Sequence, residues 1–211
     1  MFGTHDLPLF LATALVLALT PGVDLLYTAA RTLQGGARHG AVAAAGILAG
    51  CALHAIAATT GLAAVLAASA AAFALIKYAG AAYLLWLAFG MLRKALAHGA
   101  AQPLPLPERA SVRRVFLQGF LGNALNPKVA LFFLALLPQF VAVDASNQAL
   151  AFLFLGLMFI AVGAVVLAAV VALAAHTRQL SASPIAARML NGIGGLLFVG
   201  LAVRLATAER T

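Results

Sequence analysis

Six apolar runs, each long enough to cross a bilayer, constrain this chain more than any other feature: residues 7–28, 40–66, 70–92, 115–139, 149–174 and 187–207. A spanning helix needs about 20 mostly apolar residues, so six consume about 120. In a chain of 211 residues that leaves room for short loops and for no separate soluble domain. The runs lack the strict apolar–polar alternation of a membrane β-barrel, so they read as helices. The expected fold is an all-α integral membrane protein with six transmembrane helices.

Charge supports the same class. Only 9% of the residues are charged and 64% are hydrophobic, whereas a soluble domain carries about 25% charged residues. Disordered chains are poor in apolar residues and are excluded. The net charge of +8 could suggest a nucleic-acid partner. It does not, because the basic residues sit at the ends of apolar runs, where topology signals lie. Nine of them fall on one side: Arg31 and Arg38, then Arg93, Lys94, Arg109, Arg113 and Arg114, then Arg178 and Arg188. The other side has Arg204 and Arg210. The positive-inside rule puts the nine in the cytoplasm and both termini outside. No basic stretch precedes the first run, so no cleaved leader is expected.

The only proline-rich stretch, Pro103-Leu104-Pro105-Leu106-Pro107, lies near the middle of the chain. It reads as an extended spacer. A single membrane domain is expected, with repeat one over about 1–98, a cytoplasmic linker over about 99–112 and repeat two over about 113–211. Three spans per repeat invert the second relative to the first. Each repeat opens on an interrupted run: Thr20-Pro21-Gly22-Val23-Asp24 in the first segment, Asn126-Pro127-Lys128 in the fourth. Paired interruptions in a 3+3 inverted repeat are the best sequence pointer to a transporter site.

A helical proline cannot donate to the carbonyl four residues back. Pro21 therefore frees the carbonyl of Leu17, and Pro127 that of Asn123. Those groups need protein or water partners at membrane depth; Thr20, Asn123 and Asn126 are candidates. Thr20, Pro21, Gly22, Asp24, Asn123, Asn126, Pro127 and Lys128 make up the candidate substrate site. Asp24 can take a substrate ammonium, carry a proton, or pair with Lys128 or Lys77. Lys128 can take a carboxylate, close a gate or serve as a structural ion pair. Lys77 either joins the site or snorkels to the outer interface. His54 shares a helix face with Gly46 and Gly50, which permit close helix approach. It reads as a hydrogen-bonded core histidine or as a proton relay. Asp24, His54, Lys77 and Lys128 are thus the candidates for proton coupling or gating.

Other chemistries find little material. There is no His-Glu-x-x-His run and no Gly-x-Ser-x-Gly elbow, so no enzyme and no cofactor is expected. The lone cysteine, Cys51, makes no intrachain disulfide and no multi-cysteine metal site. One cysteine, one deep histidine and one deep aspartate are a poor metal set, although an inorganic- or metal-ion exporter is the alternative reading.

These residues resemble the LysE/RhtB family of bacterial amino-acid exporters. Thr20-Pro21-Gly22-Val23-Asp24 is similar to its first-helix signature, and Ile76-Lys77-Tyr78-Ala79-Gly80 with the residues after it to the third. Most specific is Gly119-Phe120-Leu121-Gly122-Asn123-Ala124-Leu125-Asn126-Pro127-Lys128, continuing to Leu137-Pro138-Gln139-Phe140. Val23 departs from the proline usual there. The resemblance implies export of amino acids or close derivatives across the bacterial inner membrane, driven by protons. The partners expected are an amino acid, protons and the lipid bilayer. The glycine faces also permit a homodimer.

Overall fold

The structure, a computed structural model, describes residues 3–62, 70–96, 110–142 and 145–176, with 192, 196, 199, 200, 202, 203, 206 and 207. Its elements are helices: α1 (Leu7–Leu19), α2 (Val23–Ala57), α3 (Ala70–Leu96), α4 (Val112–Ala124), α5 (Pro127–Ala135) and α6 (Gln148–His176). A π-helical turn (Ala58–Leu62) continues α2, and a 3₁₀ turn (Leu137–Phe140) follows α5. The described residues form no β-strand; one isolated bridge joins Thr4 to Val141. Most of the linker over 99–112 lies outside the described residues. So does much of the segment over 187–207, whose described positions are helical.

The sequence reading ended one segment at 28 and began the next at 40. The structure instead keeps helix on both sides of a single break inside α2, at Gly36 (φ 76°, ψ −177°). This left-handed φ suits glycine, which has no Cβ to clash. The two arms fold back there. A Cβ on Gly40 would collide with the Thr32 hydroxyl, yet residues eight apart in a continuous helix stand about 12 Å apart. Leu25 and Tyr27 of the first arm pack with Ile47 and Leu48 of the second.

Arg31, expected among loop charges, is consequently buried at 4% exposure on the first arm. Its guanidinium donates to Gln34 Oε1 (2.8 Å) and Gln118 Oε1 (2.7 Å) and lies 5.2 Å from the centroid of the Tyr27 ring. The Tyr27 hydroxyl donates to the Val115 carbonyl at 2.8 Å. A buried arginine needs such partners, and they tie α2 to α4.

α2 packs most extensively on α4 and α6. Small residues set the α2–α4 distance. A Cβ on Gly46 would run into the Phe116 carbonyl oxygen, one on Gly50 into Asn123, and one on Gly119 into the Ala43 carbonyl. Without those side chains the backbones approach closely, as small-residue helix faces allow. Phe10, Phe132, Phe133, Phe140 and Phe152 form a fully buried aromatic core, in one cluster with Cys51 and Ala55 of α2. Phe132 and Phe133 both pack on Phe159, at 4.7 and 5.2 Å between centroids.

Large apolar side chains also cover the outside: Leu157 is 56% and Val165 72% exposed. Lipid, rather than water, suits such a surface. By length and composition alone two described helical stretches are long and apolar enough to cross a membrane, Val23–Gly61, counted through its break at Gly36, and Gln148–His176. A third qualifies if Val112–Ala124 and Lys128–Phe140, bent by 46°, form one span.

Candidate functional site

The site lies where α1, α2, α4 and α5 meet end to end. α1 stops at Leu19 because Pro21 supplies no donor for the next turn. Buried Thr20 closes that end, with its amide and its hydroxyl both donating to the Val16 carbonyl, at 2.9 and 2.6 Å. The carbonyl of Leu17 is left for another partner. Lys128 provides it: its Nζ donates to Leu17 O at 3.1 Å and to Thr20 O at 3.4 Å.

α2 restarts at Val23. Gly22 sits at its N-cap in extended backbone (φ −153°) and no side chain caps the helix. Its first turn therefore keeps backbone N–H groups directed at the break. Asp24 stands in that turn. Its carboxylate accepts from Asn123 Nδ2 at 2.9 Å.

The second junction is built differently. α5 opens with Pro at its first turn, capped by Asn126, whose Oδ1 accepts the Lys128 amide at 3.0 Å. This is a standard polar cap. The carbonyl freed by Pro127 belongs to Asn123, and it accepts from the Asn126 amide (2.9 Å) and from His54 Nε2 (3.1 Å). A carbonyl can only accept, so His54 carries its proton on Nε2 in this contact. The ring stacks on Phe133, 6.0 Å away. The two carbonyls that the prolines release are thus each engaged by a side chain from the other half of the chain.

Asn123 is the common node. It is fully buried, holds Asp24 with its amide group and receives His54 on its carbonyl. Its Oδ1 has no hydrogen-bond partner among the described residues and faces Gly50, where a Cβ would stand 2.9 Å away.

A cavity opens against these groups, with about 560 Å³ of empty space including its mouth. Thr20, Gly22, Asp24, Asn123, Asn126 and Lys128 line its polar side. Leu17, Ile47, Leu48, Phe159, Val166 and Leu167 form the apolar wall.

Of the sequence candidates, the structure brings these six together. Pro21 and Pro127 act through the bonds they withhold. His54 stands one residue removed, behind Asn123. Lys77 lies on α3, and its side chain is outside the described residues. The sequence reading missed the apolar wall. The spacing of Phe159, Gly163, Val166 and Leu167 along one face of α6 was the available signal. Among the described residues, no group of three or more His, Cys, Asp or Glu could hold a metal ion.

The His54 contact has a measurable consequence. Leaving a buried acceptor short of a partner costs about 1–3 kcal/mol. Because the Asn126 amide remains on the same carbonyl, His54→Leu should fall at the lower end. It should lower the melting temperature by about 2–4 °C, with His54→Gln, which keeps a donor, recovering most of it in a thermal unfolding assay.

Residues 15–209 match the LysE type translocator family. The chain is 34% identical over 201 residues to an uncharacterized membrane protein of Vibrio cholerae, covering 95% of this chain and 96% of that one. It is 32% identical over 200 residues to the homoserine/homoserine lactone efflux protein of Salmonella typhi, covering 95% of each. It is 31% identical over 213 residues to the leucine efflux protein of Enterobacter sp. strain 638, covering 98% and 97%. No solved structure matches. A family match over nearly the whole chain, with relatives aligned end to end, makes this protein a member of the LysE type translocator family.

Proposed function

We propose that this protein is a secondary transporter that exports amino acids or close derivatives from the cytoplasm by proton antiport. The observation that carries the reading is the cavity at the α1–α2 break. It sets helix ends of opposite polarity beside one carboxylate and backs them with an apolar wall. A helix C-terminus attracts an ammonium and an uncapped N-terminus attracts a carboxylate. In the proposed pose the substrate ammonium lies by Asp24 and the last carbonyls of α1. The carboxylate lies at the first turn of α2, and the side chain rests on Leu17, Ile47, Leu48 and Phe159. Asp24 is the acidic residue lining the cavity. A second cation on the substrate would meet no second carboxylate among the described lining residues, so neutral aliphatic amino acids are favoured over dibasic ones. Relatives named for homoserine and leucine efflux support this class.

In this reading the chain forms six spans in a 3+3 inverted repeat, in the bacterial inner membrane with both termini outside. Broken first and fourth spans would let one repeat rock against the other around the cavity. Asp24, His54, Lys77 and Lys128 are the groups proposed to couple protons or gate. A homodimer is compatible with the glycine faces.

Counterflow in proteoliposomes tests the proposal. Vesicles loaded with unlabelled leucine should accumulate labelled leucine above protein-free vesicles, and an imposed pH gradient should drive net movement. Lysine should compete poorly. Absence of exchange for neutral, hydroxylated and basic amino acids and homoserine lactone, with folded and inserted protein, would overturn the reading.

A further inference from the structure

We propose that the Lys128 ammonium is the resident occupant of the substrate's own ammonium subsite, and that an amino acid enters by displacing it. The inference rests on reading the cavity as an amino-acid site. It gives Lys128 a role opposite to that of a group that grips the substrate.

The subsite is defined by its acceptors. The last carbonyls of a helix lack intrahelical donors and carry the negative end of its dipole. At the end of α1, Pro21 adds to this by withholding the donor for Leu17 O. Two acceptors, Leu17 O and Thr20 O, consequently converge on one point, and Lys128 Nζ occupies it at 3.1 and 3.4 Å. It lies over the break itself, 3.7 Å from where a Cβ on Gly22 would stand. An alkylammonium with three donors suits such a pair. An amino acid offers the same group, a primary ammonium on a carbon stem. Two ammonium ions cannot share one pair of carbonyls, so substrate and Lys128 exclude each other there.

The origin of the occupant matters as well. Lys128 belongs to α5, in the second half of the chain, whereas the carbonyls belong to α1 in the first. In the empty carrier the contact is a cross-link between halves. Entry of substrate ammonium breaks it, and exit of substrate restores it. The tethered ammonium therefore gives the empty carrier a closed form of its own. Removing the tether should help substrate to bind and hinder the return of the empty carrier.

Lys128→Met keeps the stem and removes the charge. The first readout uses n-butylammonium as a probe, with n-butanol as control, in thermal unfolding of the purified protein. Butylammonium should stabilise Lys128→Met and leave wild type unmoved, because only the variant has a vacant subsite. The second readout is transport. In Lys128→Met the half-saturation concentration for leucine counterflow should fall by about 10-fold, as expected when an intramolecular competitor is removed. Net efflux should slow relative to exchange, and butylammonium should restore part of it. If Lys128→Met does not accumulate as folded protein, Lys128→Gln, uncharged and with a donor for one carbonyl, serves for the same comparison.

A folded variant that ignores butylammonium, or whose half-saturation concentration for leucine rises, overturns the proposal. A rise would mean that Lys128 holds the substrate directly. Wild type that exchanges no amino acid overturns the substrate reading and the displacement step with it. The butylammonium result still decides, separately, whether the carbonyl pair is an ammonium site.

Discussion

Asp24→Asn should cut amino-acid efflux by about 100-fold, with the protein present in the membrane at wild-type levels. The change removes one charge and almost no volume. The new amide can still accept from Asn123 Nδ2, so the contact that fixes the first turn of α2 at 2.9 Å survives. What disappears is the negative charge beside the end of α1. A hydrogen bond to a charged group is worth about 1.5–3 kcal/mol, and about 1.4 kcal/mol is tenfold. The upper part of that range applies where water is scarce and the partner is an ammonium. Efflux from preloaded cells or proteoliposomes measures the change, with immunodetection of membrane protein as the control for folding. Asp24→Glu keeps the charge but lengthens the arm, and should fall between the two. Full efflux by Asp24→Asn would remove Asp24 from the site.

Gly46→Ala should be the most damaging change of a single methyl group outside the cavity. The added carbon would meet backbone, the Phe116 carbonyl oxygen and the Phe120 amide of α4, rather than the end of a side chain that can turn away. The two helices must then part along a contact that also carries Gly50, Gly119 and the His54 bond. Overpacking of this kind costs about 1–3 kcal/mol and more against rigid backbone, which corresponds to roughly 2–12 °C in melting temperature. Gly122→Ala, one face away on α4 with nothing within 4 Å of the new carbon, is the matched control. It should be neutral or slightly stabilising, because alanine favours helix over glycine by about 1 kcal/mol. Equal melting temperatures for the two variants would mean that the close approach of α2 and α4 is not what holds them together.

The helical class was legible because apolar runs of that length leave few alternatives. The candidate site was legible to the degree that backbone chemistry is written in sequence. Pro21 and Pro127 announce which two carbonyls lose their donors, and the structure confirms that Leu17 O and Asn123 O take partners from elsewhere in the chain. The partners themselves were not legible. Lys128 and His54 lie 111 and 69 positions from the atoms they reach, and nothing in local spacing chooses between them and water. Lys128 shows the limit well: a deep lysine beside a deep aspartate suggests an ion pair or a carboxylate site, and local sequence does not disclose that its Nζ also reaches the carbonyl end of a helix. Arg31 was misplaced for a related reason. Charge counting treats arginine as a loop residue, whereas Gln34, Gln118 and the ring of Tyr27 supply it with a buried berth on α2.

The reciprocal bonding of the two proline-released carbonyls bears on how the chain is made. Synthesis proceeds from the N-terminus, so Leu17 and His54 emerge well before Asn123 and Lys128 do. Until residue 128 has left the ribosome, the end of α1 has no lysine to meet and His54 has no carbonyl from α4. The N-terminal half therefore waits in an immature form whose polar backbone must be sheltered by water or by insertion machinery. The final shape of each helix junction is acquired only when its counterpart arrives. A nascent chain arrested before Asn123 would expose an unfinished polar seam, the kind of defect that membrane proteases can recognise. Completion of the second half is, in that sense, the signal that the first half is mature.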